Sequence, residues 1–220
     1  MDIIPLGLSC FKLNGKNASV VIDPYDPKIV RLTFPKHTTA DIIIVSHDHP
    51  DHNFTSSIVA KDMAPIIFHG PGEYEARGID ILGVATFHDN KEGSVRGKNT
   101  VYKINIDGIN LVHLGDLGHK LNDLQLDEID KVDVLFIPVG GVFTIDAMIA
   151  CEIISDLEPK VVIPMHYLRQ GLNSEIFGQL APVSNFLKEI GKEVDPIPRL
   201  KVTKDTLPPE LQVWYWSNSG

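Results

Sequence analysis

Cysteine is scarce in this 220-residue chain. Cys10 and Cys151 are too few for a disulfide framework, and their apolar neighbours predict buried free thiols in a reducing, cytoplasmic setting. Positive charge is also in deficit, with 20 Lys+Arg against 29 Asp+Glu and a formal net charge of -9. That balance removes the broad basic surface needed to hold a long nucleic acid regardless of sequence. Long apolar runs are missing too. The longest uncharged stretch, 134–145, is broken by Pro138, Gly140 and Gly141 and falls short of the ~20 residues of a membrane span, so no membrane partner is expected. The first fifteen residues have no positive charge before Lys12 and no signal-peptide layout. No Gly-x-Ser-x-Gly elbow and no Walker-type run occurs, which removes the main support for serine-hydrolase and P-loop chemistry. The rest is ordinary for a globular chain, at 43% hydrophobic and 22% charged residues. One feature is out of proportion: of nine histidines, three fall within six residues.

The pattern reads as a single domain over 1–220, built from two echoing halves of about 1–98 and 99–220. In the first, 9–13 and 18–22 form strands around the turn Asn14-Gly15-Lys16, and Asp23-Pro24-Tyr25-Asp26-Pro27 follows as an irregular loop. Ile42-Ile43-Ile44-Val45 is a short continuous apolar run, as in a strand covered on both faces; 65–68 is expected to be a second buried strand and 79–87 a third. In the second half, 101–106 and 110–114 pair through Asp107-Gly108 and lead to Gly115-Asp116. A buried strand over 132–137 precedes a helix over 145–157, with Thr144 as its cap and Ile145, Met148, Ile149 and Ile153 near helical spacing. The strand 161–163 then ends at Pro164-Met165-His166, and 211–216 makes a last edge strand whose Trp214-Tyr215-Trp216 could cover a second copy in a homo-oligomer. Strand–helix–strand with short connections implies a parallel pair within a larger mixed sheet, with ligands where strand ends converge.

His47-x-His49-x-Asp51-His52 follows the first buried strand directly. With this composition, chance produces such a motif in roughly one chain in a thousand. Imidazole suits zinc, iron and related ions, and carboxylate adds charge neutralisation. Four ligand-type residues in six positions exceed what one zinc takes from one loop. His47 and His49 can face one ion while Asp51 and His52 face another, and both ions then need ligands from elsewhere.

This motif at the end of a buried strand resembles the signature of the metallo-β-lactamase superfamily. Later elements match in order: Thr86-Phe87-His88-Asp89, His113-Leu114-Gly115-Asp116-Leu117-Gly118 and Ile163-Pro164-Met165-His166-Tyr167. The short chain, the Gly70-Pro71-Gly72-Glu73-Tyr74-Glu75 segment and the Pro-Met-His-Tyr ending are most similar to the compact branch that includes ascorbate-phosphate lactonase-like proteins. The resemblance implies an α/β fold, a four-layer αββα sandwich of two mixed β-sheets flanked by helices. It also implies one metal on His47, His49 and His88, a second on Asp51, His52 and His166, and Asp116 between them. Two Zn2+ per chain are expected, since the second motif position is His49 rather than the Glu of di-iron members; Mn2+ or Fe also suit the mixed donors.

The expected activity is hydrolysis by a metal-bridging hydroxide. Asp51 and Asp116 only partly cancel four positive charges, so the expected substrate is a small anionic ester, lactone or phosphodiester. The alternatives are a phosphodiesterase or nuclease of the same superfamily, and a non-catalytic metal-binding protein. Asp51 and Asp116 are expected to act in catalysis, joined by His119 as a hydrogen-bond donor to substrate, with a solvated loop role as its alternative. His113 shares a strand face with Leu111 and is expected to point away from Asp116, as a hydrogen-bonded supporting histidine. Glu73 and Glu75 read as part of a structural loop whose glycines shape the turn rather than as an acid/base pair, His69 as lining near the mouth, and His37 as surface.

Overall fold

The computed structural model describes residues 1–61, 63–198 and 200–216. Six strands form one sheet: β1 (Asp2–Gly7), β2 (Cys10–Asn14), β3 (Ser19–Ile22), β4 (Ile42–Val45), β5 (Ile66–His69) and β12 (Leu200–Lys201), in the order β12-β1-β2-β3-β4-β5. Seven form the other: β6 (Gly72–Ala76), β7 (Ile79–Phe87), β8 (Lys98–Ile106), β9 (Ile109–His113), β10 (Val134–Pro138), β11 (Val161–Met165) and β13 (Gln212–Val213), in the order β13-β11-β10-β9-β8-β7-β6. Among the described residues five α-helices accompany them: α1 (Pro27–Val30), α2 (Asp123–Ile129), α3 (Ala147–Leu157), α4 (Ser174–Phe177) and α5 (Val183–Glu189). The chain changes sheet at Gly70-Pro71, between β5 and β6.

The apolar runs supply three cores at once because neighbouring strand residues face opposite ways. Ile42 and Ile44 join Phe11, Leu13, Val20 and Ile22 between the sheets, against Tyr102, Ile104, Leu111, Phe136 and Ile163. Ile43 and Val45 face outward with Val21, where Tyr25, Val30, Phe34, Leu172, Phe177 and Leu180 cover them. On the far side, Val112, Leu135, Ile137 and Val162 pack under Ile129 of α2, Ile153 and Leu157 of α3, and Phe186 of α5. The expected four-layer arrangement follows, since a continuous apolar strand needs a cover on each face.

Turn chemistry sets the hairpins. Asp107-Gly108 between β8 and β9 has φ of 54° and 76°, and Arg77-Gly78 between β6 and β7 has 56° and 73°. Positive φ at both central residues gives a turn whose twist matches that of the strands.

Several expectations change. Strand β5 is an edge strand rather than a buried one, with Ile66 39% and Ile67 51% exposed, since β4 pairs with only one of its sides. Helix α3 is capped by Asp146, whose side chain accepts from Ile149 N–H, not by Thr144; its buried face is Ala150, Ile153, Ile154 and Leu157, with Met148 in solvent. The segment 72–76 is a strand rather than a loop, and Glu73 and Glu75 both point outward from it. The tail strand is shorter than expected: of 211–216 only Gln212–Val213 pair, parallel to β11 at the sheet edge. Cys10 is buried and Cys151 half-buried, both as free thiols. Among the described residues no helix is long and apolar enough to cross a membrane.

Candidate metal centre

Strands β3, β4 and β5 run parallel, so the residues that follow them emerge on one edge of the first sheet. In the second sheet β7 is antiparallel to β8 and β8 to β9, while β9, β10 and β11 are parallel; the ends of β7, β9 and β11 therefore share an edge. His47, His49, Asp51 and His52 follow β4, His88 follows β7, Asp116 follows β9 and His166 follows β11.

The two edges meet. His47, His49 and His88 bring their ligand atoms within 4.8 Å of one another, as do Asp51, His52, Asp116 and His166. Asp116 reaches both groups: Oδ2 lies 3.4 Å from His88 Nε2, 4.0 Å from His47 Nε2 and 3.2 Å from His166 Nε2, while Oδ1 lies 3.3 Å from His52 Nε2. Gly115 makes this approach possible, because its φ is +57° and a Cβ there would collide with Asn99 and Ser46. Asn99 Oδ1 then accepts from Asp116 N–H at 3.0 Å, and Asn99 Nδ2 donates to Leu114 O and Thr86 Oγ1.

His47 Nε2, His52 Nε2, His88 Nδ1, Asp116 Oδ1 and both ring nitrogens of His166 are buried without a hydrogen-bond partner among the described residues. Each such atom costs about 1–3 kcal/mol when left unpaired. Orphans concentrated at one point, from lone-pair-bearing imidazoles and a carboxylate, fit a cation site.

Burial holds the His47 imidazole well below its ordinary pKa, with neighbouring His52 adding to the effect, and burial likewise lowers His88. Both are thus neutral, which is the ligating form. At Asp116, burial favours protonation but His166 and His52 outweigh it and hold the carboxyl well below the usual range. His52 moves the other way: burial opposes its charge, yet Asp116, Asp51 and Asp23 raise its pKa well above normal. A cation there competes with a proton.

One contributor was not visible in the sequence reading. Asp23, assigned above to an irregular loop, is wholly buried at the end of β3. Its Oδ1 accepts from Ser46 N–H at 2.8 Å, and its Oδ2 accepts from Ser46 Oγ–H at 2.7 Å and from His52 Nδ1–H at 2.9 Å. Since Ser46 gives its only proton to Asp23, the 2.9 Å contact between Ser46 Oγ and His47 Nδ1 is donated by the histidine. Asp23 therefore fixes both imidazoles in the tautomer that turns a bare Nε2 inward. The available signal was the apolar strand Val20-Val21-Ile22 running straight into a carboxylate.

The remaining candidates divide. His113 is buried and supports the site through main-chain groups: its Nε2 hydrogen bonds with Ser9 O at 2.9 Å and its Nδ1 accepts from Gly115 N–H. His119 stands apart from both ligand groups. Its Nε2 accepts from Phe87 N–H at 3.1 Å and its Nδ1 donates to Lys120 O at 2.8 Å, so neither nitrogen is left for a substrate. His69 Nε2 lies 3.9 Å from exposed Asp48 at the same edge of the sandwich, and His37 is on the surface.

Residues 2–166 match the family model of the beta-lactamase superfamily domain. A protein from Alkaliphilus metalliredigens named UPF0173 metal-dependent hydrolase is 32% identical over 193 residues, covering 76% of this chain and 85% of its own. Its namesake from Carboxydothermus hydrogenoformans is 30% identical over 194 residues, covering 76% and 84%. Among solved structures, a candidate zinc-dependent hydrolase from Thermotoga maritima superposes with a TM-score of 0.79 at 34% identity, over 98% of this chain and 97% of the other. The fold, the paired His/Asp groups and these relatives agree, and the chain belongs to the metallo-β-lactamase superfamily, among proteins classed as metal-dependent hydrolases.

Proposed function

We propose that the protein is a two-metal hydrolase of small anionic esters, lactones or phosphodiesters, with zinc as its metal. The observation that carries this reading is the shared carboxylate: Asp116 lies within 4.0 Å of histidines from both ligand groups. His47, His49 and His88 would hold one cation, Asp51, His52 and His166 the other, with Asp116 between them. Two bound divalent cations supply a water of lowered pKa and an electrophile that polarises the scissile carbonyl or phosphoryl group.

The chain's own residues do the rest. Asp23 and Ser46 hold His47 and His52 in orientation, so the donor set is assembled before a ligand arrives. Asp51 keeps 15% side-chain exposure against 2% for Asp116, which makes Asp51 the carboxylate placed to exchange a proton with the mouth of the site. Asp51 and Asp116 leave a surplus of positive charge once two dications are bound, and an anionic substrate offsets it.

Elemental analysis of the purified protein, followed by assay on a panel of lactones, carboxylic esters and phosphodiesters, tests the reading. About two zinc ions per chain and turnover that disappears in a His47→Ala/His49→Ala variant are expected. Turnover that survives in that variant without bound metal would overturn it.

A further inference from the structure

The residues after His88 form a loop tied to itself. Asp89 accepts four backbone N–H groups, from Lys91 and Gly93 on Oδ1 and from Val95 and Arg96 on Oδ2, the last at 2.7 Å. Gly97 N–H closes the loop on Gly93 O, and His88 N–H on Gly97 O. The Arg96 backbone is thereby fixed relative to a metal-binding histidine.

Its guanidinium carbon lies 5.5 Å from the centre of the Phe143 ring. Phe143 is held in turn by the tight turn after β10, and its ring meets that of His166 edge-on at 6.3 Å. Among the described residues no carboxylate pairs with Arg96, although the chain has nine more acidic than basic residues. A guanidinium resting on an aromatic face uses its π surface there, which leaves the N–H groups around its edge free to donate. Two such donors side by side match the two oxygens of a carboxylate or phosphate. Because Asp89 and Phe143 hold the arginine in advance, little conformational freedom is lost when an anion arrives.

We propose that Arg96 is the specificity-determining residue of this centre, receiving an oxyanion that the substrate carries away from the bond to be cut. This rests on the hydrolase reading above and narrows it: the substrate has two anion-recognising contacts, one at the metals and one at Arg96. A neutral ester lacks the second contact, and a single small anion satisfies only one of the two.

The test uses the metal-loaded protein and three probes measured by calorimetry: butyrate, glutarate and 4-phosphonobutyrate. The last two share a chain length and differ in the second anion, so the part of each one's gain that disappears in Arg96→Met reports the contact with Arg96 and not the affinity of either anion for the metals. In the wild type at least one of them should bind about tenfold or more tightly than butyrate. Arg96→Met should abolish that gain while leaving metal content and butyrate affinity unchanged, and Arg96→Lys should keep part of it, as a point charge without the fork. A gain that persists in Arg96→Met, the absence of any gain in the wild type, or an equal loss for all three probes would overturn the proposal. The kinetic arm compares 4-nitrophenyl butyrate with mono-4-nitrophenyl glutarate. Turnover whose preference between them is the same in Arg96→Met sinks the role of Arg96 and leaves the hydrolase reading standing. An Arg96-dependent binding gain with no turnover of any lactone, carboxylic ester or phosphodiester on the panel supports the anion site and sinks the hydrolase reading.

Discussion

The two sheets hold their histidines by different means. On the β3–β4 side, His47 and His52 are wired: their Nδ1 atoms lead to one buried carboxylate, Asp23, directly or through Ser46. On the β7–β11 side, His88 Nδ1 and both nitrogens of His166 have no hydrogen-bond partner among the described residues. His166 is placed instead by its backbone, in a left-handed conformation at φ 50°, and by Phe143 and Phe177 edge-on against its ring. A non-glycine residue there costs about 1–2 kcal/mol, so the surroundings must impose it. The wired side is oriented before any cation binds, whereas the cushioned side completes its polar contacts only through the ligand it holds. His47 and His52 are oriented in advance through Nδ1, and the orphaned nitrogens on both sides make the demand for a cation.

Asp116 belongs to both sides, and its removal erases the difference between them. Asp116→Ala should reduce metal content to one ion or fewer per chain and lower kcat/KM by about a thousandfold or more, read by elemental analysis and steady-state assay. Asp23→Asn breaks only the wired side. Metal affinity should fall about 10–100-fold, and nitrogen NMR of the metal-free protein should show His47 and His52 losing their single tautomer while the signals of His88 and His166 do not change. Equal changes in all four would collapse the comparison.

Ser46→Ala is a finer cut, since it spares the direct bond from His52 to Asp23. Competition titration against a chelator should show a loss of metal affinity smaller than that of Asp23→Asn, with the tautomer change confined to His47. The smallest effect concerns the Arg96 loop. At Asp89 burial works to raise the pKa, and the N–H groups of Arg96, Lys91, Val95 and Gly93 outweigh it, bringing it to about 2. A pKa lowered on folding stabilises above the unfolded value near ~3.9 and ceases to do so as pH falls through the folded one. The stability difference between wild type and Asp89→Asn, followed by denaturant melts of the metal-free proteins, should hold above pH ~4 and shrink toward pH ~2.

Parts of this site were legible in sequence because they are consecutive. Four ligand-type residues in six positions cannot hide, and β4 announces itself as an unbroken β-branched run. His88, Asp116 and His166 are single residues after unremarkable strands, and only their order within a known pattern marked them. Asp23 had no such marker: one aspartate among prolines reads as a loop until β3 is seen to lie beside β4. His119 shows the converse error. Its position after Asp116 suggested contact with substrate, whereas both of its ring nitrogens are engaged by main-chain groups of Phe87 and Lys120. Likewise the apolar residues of β5 resemble those of β4, yet Ile66 and Ile67 are exposed because burial depends on what lies alongside a strand.

The scarcity of cysteine and basic charge, the apolar strand runs and the histidine cluster determined by themselves the class of this protein and its candidate metal ligands, since those properties belong to residue types and to neighbours along the chain. Which carboxylate orients the imidazoles, which histidine is spent on main-chain bonds, and which arginine rests on an aromatic ring beside the centre were decided by tertiary structure alone. Those facts are distances between residues far apart in sequence, and hydrogen bonds and charge contacts act over a few ångströms of space.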